Sequence, residues 1–505
     1  MIHKGFDNTL YLAEQTAEIL KRTKMFDNKL YLEFGGKLMH DYHAARVLPG
    51  YEPDVKLQLL QQLSDQVEIM LCVCAGDIER RKLRADLGIT YDAYSLKLID
   101  DLRQNGLHVG NVVLTRHTDH PLVRSFAARL ESQGIRVTAH SATRGYPGDV
   151  DVIVSEDGYG ANAYIETTRP IIVVTGPGPA SGKLATCLSQ LYHDCHRGIR
   201  AGYAKFETFP VWNLPLKHPL NVAYEAATAE LRDVTMIDPH HLEAHNKIAV
   251  NYNRDIEAFP LLRAIWEKIT KAPCPYKSPT DMGVNRVWAG VTDEDVVCAA
   301  ARQEIIRRYF MSAVEHVRGA GDAATVEREI TLMKSLGLSE TDRRVVPPAR
   351  KAAEDCLREG KGYRGIHSAA ALELRDGRVI TGKNSHLMHA SASTVMNAIK
   401  ALAGIPDDLY LLQPEVIQTI VHMKGEILQS KFASLNLDEM LIALAISSTM
   451  NSAAKVAMAK LRELRKCEMH LSHIPSPGDE AGLRRLVLRY TCEPVFATRD
   501  LYVAE

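Results

Sequence analysis

Residues 171–198, IIVVTGPGPASGKLATCLSQLYHDCHRG, constrain the fold more than any other stretch of the chain. Ile171-Ile172-Val173-Val174 is a short β-branched run of the kind that forms a strand buried on both faces. The loop Gly176-Pro177-Gly178-Pro179-Ala180-Ser181-Gly182 follows, and then a helix whose apolar positions Leu184, Leu188, Leu191 and Cys195 recur at helical spacing. Strand, glycine loop, lysine and helix in that order point free backbone N–H groups at one spot, which suits an anion.

The loop departs from a nucleotide phosphate loop, G-x-x-x-x-G-K-[ST], at two positions. Position 177 is Pro instead of Gly, and position 184 is Leu instead of Ser or Thr. Pro177 and Pro179 carry no N–H, so the cradle has two fewer donors. The expected phosphate-binding residues are Gly176, Gly178, Ser181, Gly182, Lys183 and Thr186, with Ser181 and Thr186 the nearest hydroxyls and Lys183 meeting a phosphate directly. A glycine-rich turn with a solvated lysine is the plainer alternative.

A chain of 505 residues exceeds what one core organises, so several domains are expected. With 61 basic and 62 acidic residues, no dedicated nucleic-acid surface is expected. The N-terminus reads as an amphipathic helix rather than a signal peptide, and no apolar run reaches membrane-spanning length. Nine widely spread cysteines form no disulfide framework or CxxC knuckle, which points to a reduced, cytoplasmic protein.

Strands are expected at Leu30–Phe34, Ile69–Cys74, Asn111–Thr115, Ile135–His140 and Val150–Val154, separated by helices that include Ile78–Leu87 and Tyr91–Asn105. That alternation implies a parallel sheet covered on both faces, with ligands at the C-terminal strand ends. The exits Gly35–Lys37, Arg116–His120, Ser155–Asn162 and Gly176–Lys183 would then share one rim. Gly35-Gly36-Lys37 is similar to the opening of amino-acid kinases, where a glycine pair lets a phosphate approach the backbone; the signal is only three residues long, and a tight turn explains it better. No dinucleotide fingerprint is present.

Val234–Asp238 reads as an apolar strand ending in a carboxylate, where a Mg²⁺-holding aspartate would stand beside a bound nucleotide. Asp238 before Pro239 also fits a helix cap. His240-His241-Leu242-Glu243-Ala244-His245 puts His241 and His245 on one helical face, but no third metal ligand is apparent and no metal site is expected. His240 and His241 are instead expected at the cleft rim with Lys277, Ser278, Thr280 and Asp281 of a polar loop. Asp238 and Lys183 are the expected catalytic pair.

Residues 256–348 read as mainly helical. Beyond them, Ser368–Leu374 and Val379–Gly382 flank an Asp-Gly turn, a hairpin signature. A helix from His389 to Ala403 and a strand Leu409–Leu412 follow. This order resembles the cytidine-deaminase fold, with His389-Ala390-Ser391 where that family begins its zinc helix. Ser391 stands in place of the proton-shuttling Glu, and Gln413-Pro414-Glu415 lacks the zinc cysteines, so deamination is not expected. Long helices fill about 415–465.

The segments TGPGPASGKLATCLSQLYHD, LYLEFGGKLMHDYHAARVLPG and SPTDMGVN resemble a bacterial family known as domain-of-unknown-function family eighteen-forty-six. The resemblance spans the chain. It implies a multidomain cytoplasmic protein with a deaminase-like C-terminal subdomain, and it supplies no reaction. The expected architecture is α/β: a phosphate-binding-like domain at 1–255, a helical region at 256–348 and a deaminase-like subdomain at 349–505. The expected ligand is a phosphorylated small molecule or nucleotide, with Mg²⁺ if a nucleotide binds, and the chain is expected to be a homo-oligomer. The alternative is a non-catalytic ligand sensor or assembly protein.

Overall fold

The computed structural model describes residues 4–84, 88–430 and 433–498. The chain divides into two compact units, residues 3–301 and 302–505, the division falling within the helix Glu294–Val317. In the first unit seven strands form one sheet: β1 (Leu30–Phe34), β2 (Val67–Cys74), β3 (His108–Thr115), β4 (Arg136–His140), β5 (Ile171–Thr175), β6 (Gly202–Phe206) and β7 (Gly283–Val284). Their order is β7-β6-β1-β5-β2-β3-β4, and every neighbouring pair is parallel. All residues of β1, β2 and β5 are buried, as expected of a sheet covered on both faces.

The connections set where chemistry can collect. From β1 the chain steps across β5 to reach β2, while from β5 it steps back across β1 to reach β6. Right-handed crossovers taken in opposite directions put the connecting helices on opposite faces of the sheet. The C-terminal ends of β6, β1, β5 and β2 therefore border crevices of the sort in which doubly wound sheets bind ligands.

Three expected elements of the first unit differ. Val150–Ile153 is a one-turn helix, because the Asp149 carboxylate accepts the Val152 N–H as an N-cap, so the Ser155–Asn162 loop does not leave a strand. The expected helix 78–87 is a short helix Ala75–Glu79 followed by a hairpin, Leu83–Arg84 with Ile89–Thr90; residues 85–87 lie outside those described. Thr235–Ile237 pairs antiparallel with Val250–Tyr252 in a separate two-stranded ribbon, so Asp238 does not end a strand of the large sheet.

The second unit is built on a four-stranded sheet: β8 (Ala369–Glu373), β9 (Val379–Lys383), β10 (Glu468–Leu471) and β11 (Arg489–Cys492), in the order β9-β8-β10-β11. β8 is antiparallel to both neighbours, whereas β10 and β11 are parallel. Its core gathers apolar residues of the helices Ala390–Ala403, Leu437–Ser447, Ser452–Lys460 and Pro477–Arg485. The expected strand 409–412 is irregular. The Asn451 amide donates to the carbonyls of Tyr410 and Leu411 at 3.2 and 3.3 Å, taking acceptors a ladder would have used. Among the described residues no helix is long and apolar enough to cross a membrane, and the nine cysteines are unpaired.

Candidate functional site

The loop after β5 keeps the shape its glycines suggest. Gly182 sits at φ +88° as the cap of the helix Lys183–His196, and the preceding Ala180 is also left-handed at φ +55°. A Cβ at Gly176 would lie 2.6 Å from the Cys72 carbonyl, and one at Gly178 would lie 2.5 Å from the Tyr91 ring. The loop is held through its carbonyls: Thr115 Oγ1 donates to Ser181 O at 2.8 Å, Arg84 donates to Pro177 O at 3.2 Å, and Arg116 reaches Ala180 O. Its N–H groups are left over. Among the described residues, the backbone N–H groups of Gly178, Ala180, Gly182, Lys183 and Leu184 donate to no acceptor in the chain.

Lys183 is half-buried, and among the described residues no hydrogen bond or ion pair engages its ammonium. It lies within electrostatic reach of the thiols of Cys72 and Cys187. Ser181 and Thr186 are turned inward instead. The Ser181 hydroxyl is buried and unpartnered, and Thr186 Oγ1 accepts from Cys72 Sγ at 3.5 Å.

The next two strand exits bring in a charged group that sequence reasoning missed. Gly35 ends β1 so close to β6 that a Cβ there would meet Phe206 O at 3.0 Å and Glu207 Cγ at 3.6 Å. Gly36, at φ +69°, faces Lys56 Nζ and the Tyr224 hydroxyl, each 3.9 Å from a Cβ position. Lys37 is exposed, with its carbonyl held by Lys56 at 3.1 Å; Lys56 also pairs with Asp41 at 2.8 Å. On β6, Lys205 Nζ lies 2.5 Å from Glu207 and 2.6 Å from Asp255. One ammonium thus faces two half-buried carboxylates. Burial and the Asp255 charge push the Glu207 carboxyl up to about 7 against the pull of Lys205. The available signal was Lys205-Phe206-Glu207, charged residues alternating with an aromatic at a strand end.

A second cluster joins most of the remaining expected cleft residues. Asp238 caps the helix Pro239–His245, its Oδ1 accepting His241 N–H at 3.1 Å. Its Oδ2 accepts the Thr280 N–H at 3.3 Å and hydroxyl at 2.7 Å. Ser278 caps the short helix Pro279–Met282 and lies 3.0 Å from His241 Nδ1. Asp281 meets both imidazoles, Oδ1 3.5 Å from His241 Nδ1 and Oδ2 2.8 Å from His245 Nε2, and also accepts Lys277 N–H at 3.1 Å. Burial lowers the pKa of His241 against the pull of Asp281. His240 points elsewhere, its ring 5.3 Å from Phe259. No hydrogen bond or ion pair among the described residues links this cluster to the 176–183 loop; Asp238 spends both carboxylate oxygens within its own cluster.

Two other groups carry donors. His218, Glu294 and Cys298 converge, but His218 Nδ1 accepts the Leu220 N–H at 3.2 Å, which leaves the ring proton on Nε2 facing Glu294. In the second unit, His389 Nδ1 donates to Asp479 Oδ2 at 2.6 Å, while Ser391, Ser476 and Leu437 N–H donate to the same buried carboxylate. Serine and histidine both bond the aspartate rather than each other, so no nucleophile–base pair forms there.

The family described as Domain of unknown function DUF1846, N-terminal, matches residues 4–337, and its C-terminal counterpart matches residues 341–502. The chain is 53% identical over 498 residues to a UPF0371 protein of Clostridium botulinum (strain Eklund 17B / Type B), covering 99% of both chains. It is equally similar to UPF0371 proteins of Clostridium tetani, 53% over 498 residues, and Fusobacterium nucleatum, 53% over 502, each again covering 99% of both chains.

Proposed function

The chain belongs to the DUF1846 family over nearly its whole length, and from that starting point we propose that residues 3–301 bind a small phosphorylated molecule, a sugar phosphate or nucleotide, with its phosphate on the 176–183 loop. The observation that carries this is the set of unused N–H groups at Gly178, Ala180, Gly182, Lys183 and Leu184 beside an ammonium with no partner among the described residues. Ala180 is exposed, but Gly178, Gly182, Lys183 and Leu184 are half-buried; half-buried donors without acceptors are costly unless a ligand or water meets them, and a helix N-terminus adds a favourable field for an anion. Lys183 supplies the neutralising charge.

Two strand steps separate β5 from β6, roughly 10 Å at ordinary sheet spacing. A ligand of nucleotide or sugar-phosphate size anchored at the loop would extend across Gly35-Gly36 toward Glu207. With its carboxyl near neutrality, Glu207 is suited to exchange a proton with such a ligand. Asp238 serves in this reading as a positioning residue and not as a Mg²⁺ ligand, since both its oxygens accept protein donors. The loop is a degenerate phosphate loop that binds without the Mg²⁺-ligating hydroxyl of nucleotide hydrolases. For residues 302–505 we propose a deaminase-like subdomain without zinc chemistry; the β8–β9 hairpin followed by the helix that begins after His389 supports it.

Thermal denaturation of the whole chain against inorganic phosphate, nucleotides, sugar phosphates and their phosphate-free counterparts tests the reading. At a concentration 100 times Kd, a ligand adds about 2.7 kcal/mol, enough to raise Tm by several degrees. A phosphorylated compound is expected to raise Tm where its phosphate-free counterpart does not, and Lys183→Ala is expected to abolish the rise. Equal shifts in wild type and Lys183→Ala, or none with any phosphate compound, overturn it.

A further inference from the structure

We propose that His241, His245 and Asp281 form a binding site for a borderline divalent transition metal of the Zn²⁺ or Fe²⁺ type. The inference is independent of the phosphate loop. One ligand atom from each of the three residues lies within 4.8 Å of the others. Metal bonds of about 2.0–2.2 Å hold neighbouring donors roughly 3–3.4 Å apart. The separations to Asp281, 2.8 Å from His245 Nε2 and 3.5 Å from His241 Nδ1, bracket that range. Small side-chain adjustments suffice to admit an ion.

The two histidines are four residues apart on one helix, and their rings stand 4.6 Å apart on the same face. The third ligand comes from a different element, and a buried residue fixes it there. Asp238 bonds the start of the histidine helix with one oxygen and Thr280, next to Asp281, with the other. Ser278 caps the turn that carries Asp281, and its hydroxyl, 3.0 Å from His241 Nδ1, turns away from that nitrogen when a metal takes it. Such outer contacts orient metal ligands and hold them in register.

The donor chemistry narrows the ion. Two imidazoles and one carboxylate suit Zn²⁺, Fe²⁺ or Co²⁺ better than Mg²⁺ or Ca²⁺, which favour all-oxygen shells. Three protein donors leave positions for water, and the site is open enough to admit it: the side chains of His245 and Asp281 are 34% and 23% exposed. The His218–Glu294–Cys298 group lacks this readiness. A backbone N–H already occupies His218 Nδ1, so its Nε2 must lose a proton before it can ligate. Neither His241 Nδ1 nor His245 Nε2 receives a backbone N–H; both face a hydroxyl or a carboxylate.

The test uses full-length protein stripped with chelator and titrated with Co²⁺, read by visible absorption, and with Zn²⁺, read by calorimetry. One equivalent of Co²⁺ is expected to bind and to be displaced by Zn²⁺. His245→Ala and Asp281→Asn, both at partly exposed positions, are expected to weaken binding at least about 10-fold. His386→Ala, an exposed histidine in the other unit, is expected to leave the titration unchanged. Circular dichroism of the metal-free variants verifies folding, and His245→Gln replaces His245→Ala should the latter unfold. A wild-type protein that binds neither ion overturns the proposal, as do His245 and Asp281 variants that bind as wild type does.

Discussion

Position 182 admits glycine alone. At φ +88° any L-residue is strained there, and a Cβ would lie 2.7 Å from the Thr115 side chain. Gly182→Ala is therefore expected to cost about 3 kcal/mol, strain and overpacking together. Gly134 is the comparison: its φ is +72°, yet nothing stands within 4 Å of its Cβ position, so Gly134→Ala carries only the backbone strain of about 1 kcal/mol. Urea unfolding measures both, and equal losses would mean that Thr115 moves aside. Glu207 is the second residue whose surroundings dictate its behaviour. Its carboxyl is raised from 4.5 to about 7, so its contribution to stability is complete below pH 4.5 and is lost as pH rises through 7. Wild type is expected to lose stability relative to Glu207→Gln across that window. Parallel pH profiles of the two proteins would show that Glu207 is ionised in the native state throughout.

At the scale of elements, Asp238 joins the starts of two helices. Asp238→Ala removes a cap and leaves the Thr280 donors without their acceptor, which together cost about 3 kcal/mol. Chemical denaturation should show that loss with an unchanged m-value, and a loss under about 1 kcal/mol would contradict the bridging role. Elements like this one also mark how far the sequence could be read. β1, β2 and β5 were legible because strands buried on both faces are unbroken apolar runs, and the β5 loop because glycine and proline punctuate it. Val150–Val154 reads as a strand because V-D-V-I-V is rich in β-branched residues, yet a single capping aspartate decides for a helical turn. The ribbon 235–237 was correctly read as extended, but nothing local shows which sheet a three-residue strand joins. Nothing local announces that Asp281 meets His241 and His245, because the contact closes over 36 residues.

At the scale of the whole molecule, strand order determines what can meet. Glu207 lies next to the β1 exit only because β6 pairs with β1 across some 170 residues of sequence, and no local pattern announces that pairing. The crossed connections of β1 and β5 then open crevices at the C-terminal edge, and the unused N–H groups of the β5 loop lie at that edge. The second unit follows a different logic, closing its sheet around the fully buried Arg343, whose guanidinium reaches Thr491, Glu468 and the carbonyl of Arg489 on β10 and β11. The central claim concerns the first unit. Its most direct test is a crystal of the full chain grown with a phosphorylated compound that raises Tm, or with inorganic phosphate. The account predicts phosphate density within hydrogen-bonding distance of the Gly182 and Lys183 N–H groups and of Lys183 Nζ. An empty loop with Lys183 turned into solvent, or phosphate bound only elsewhere, would contradict it.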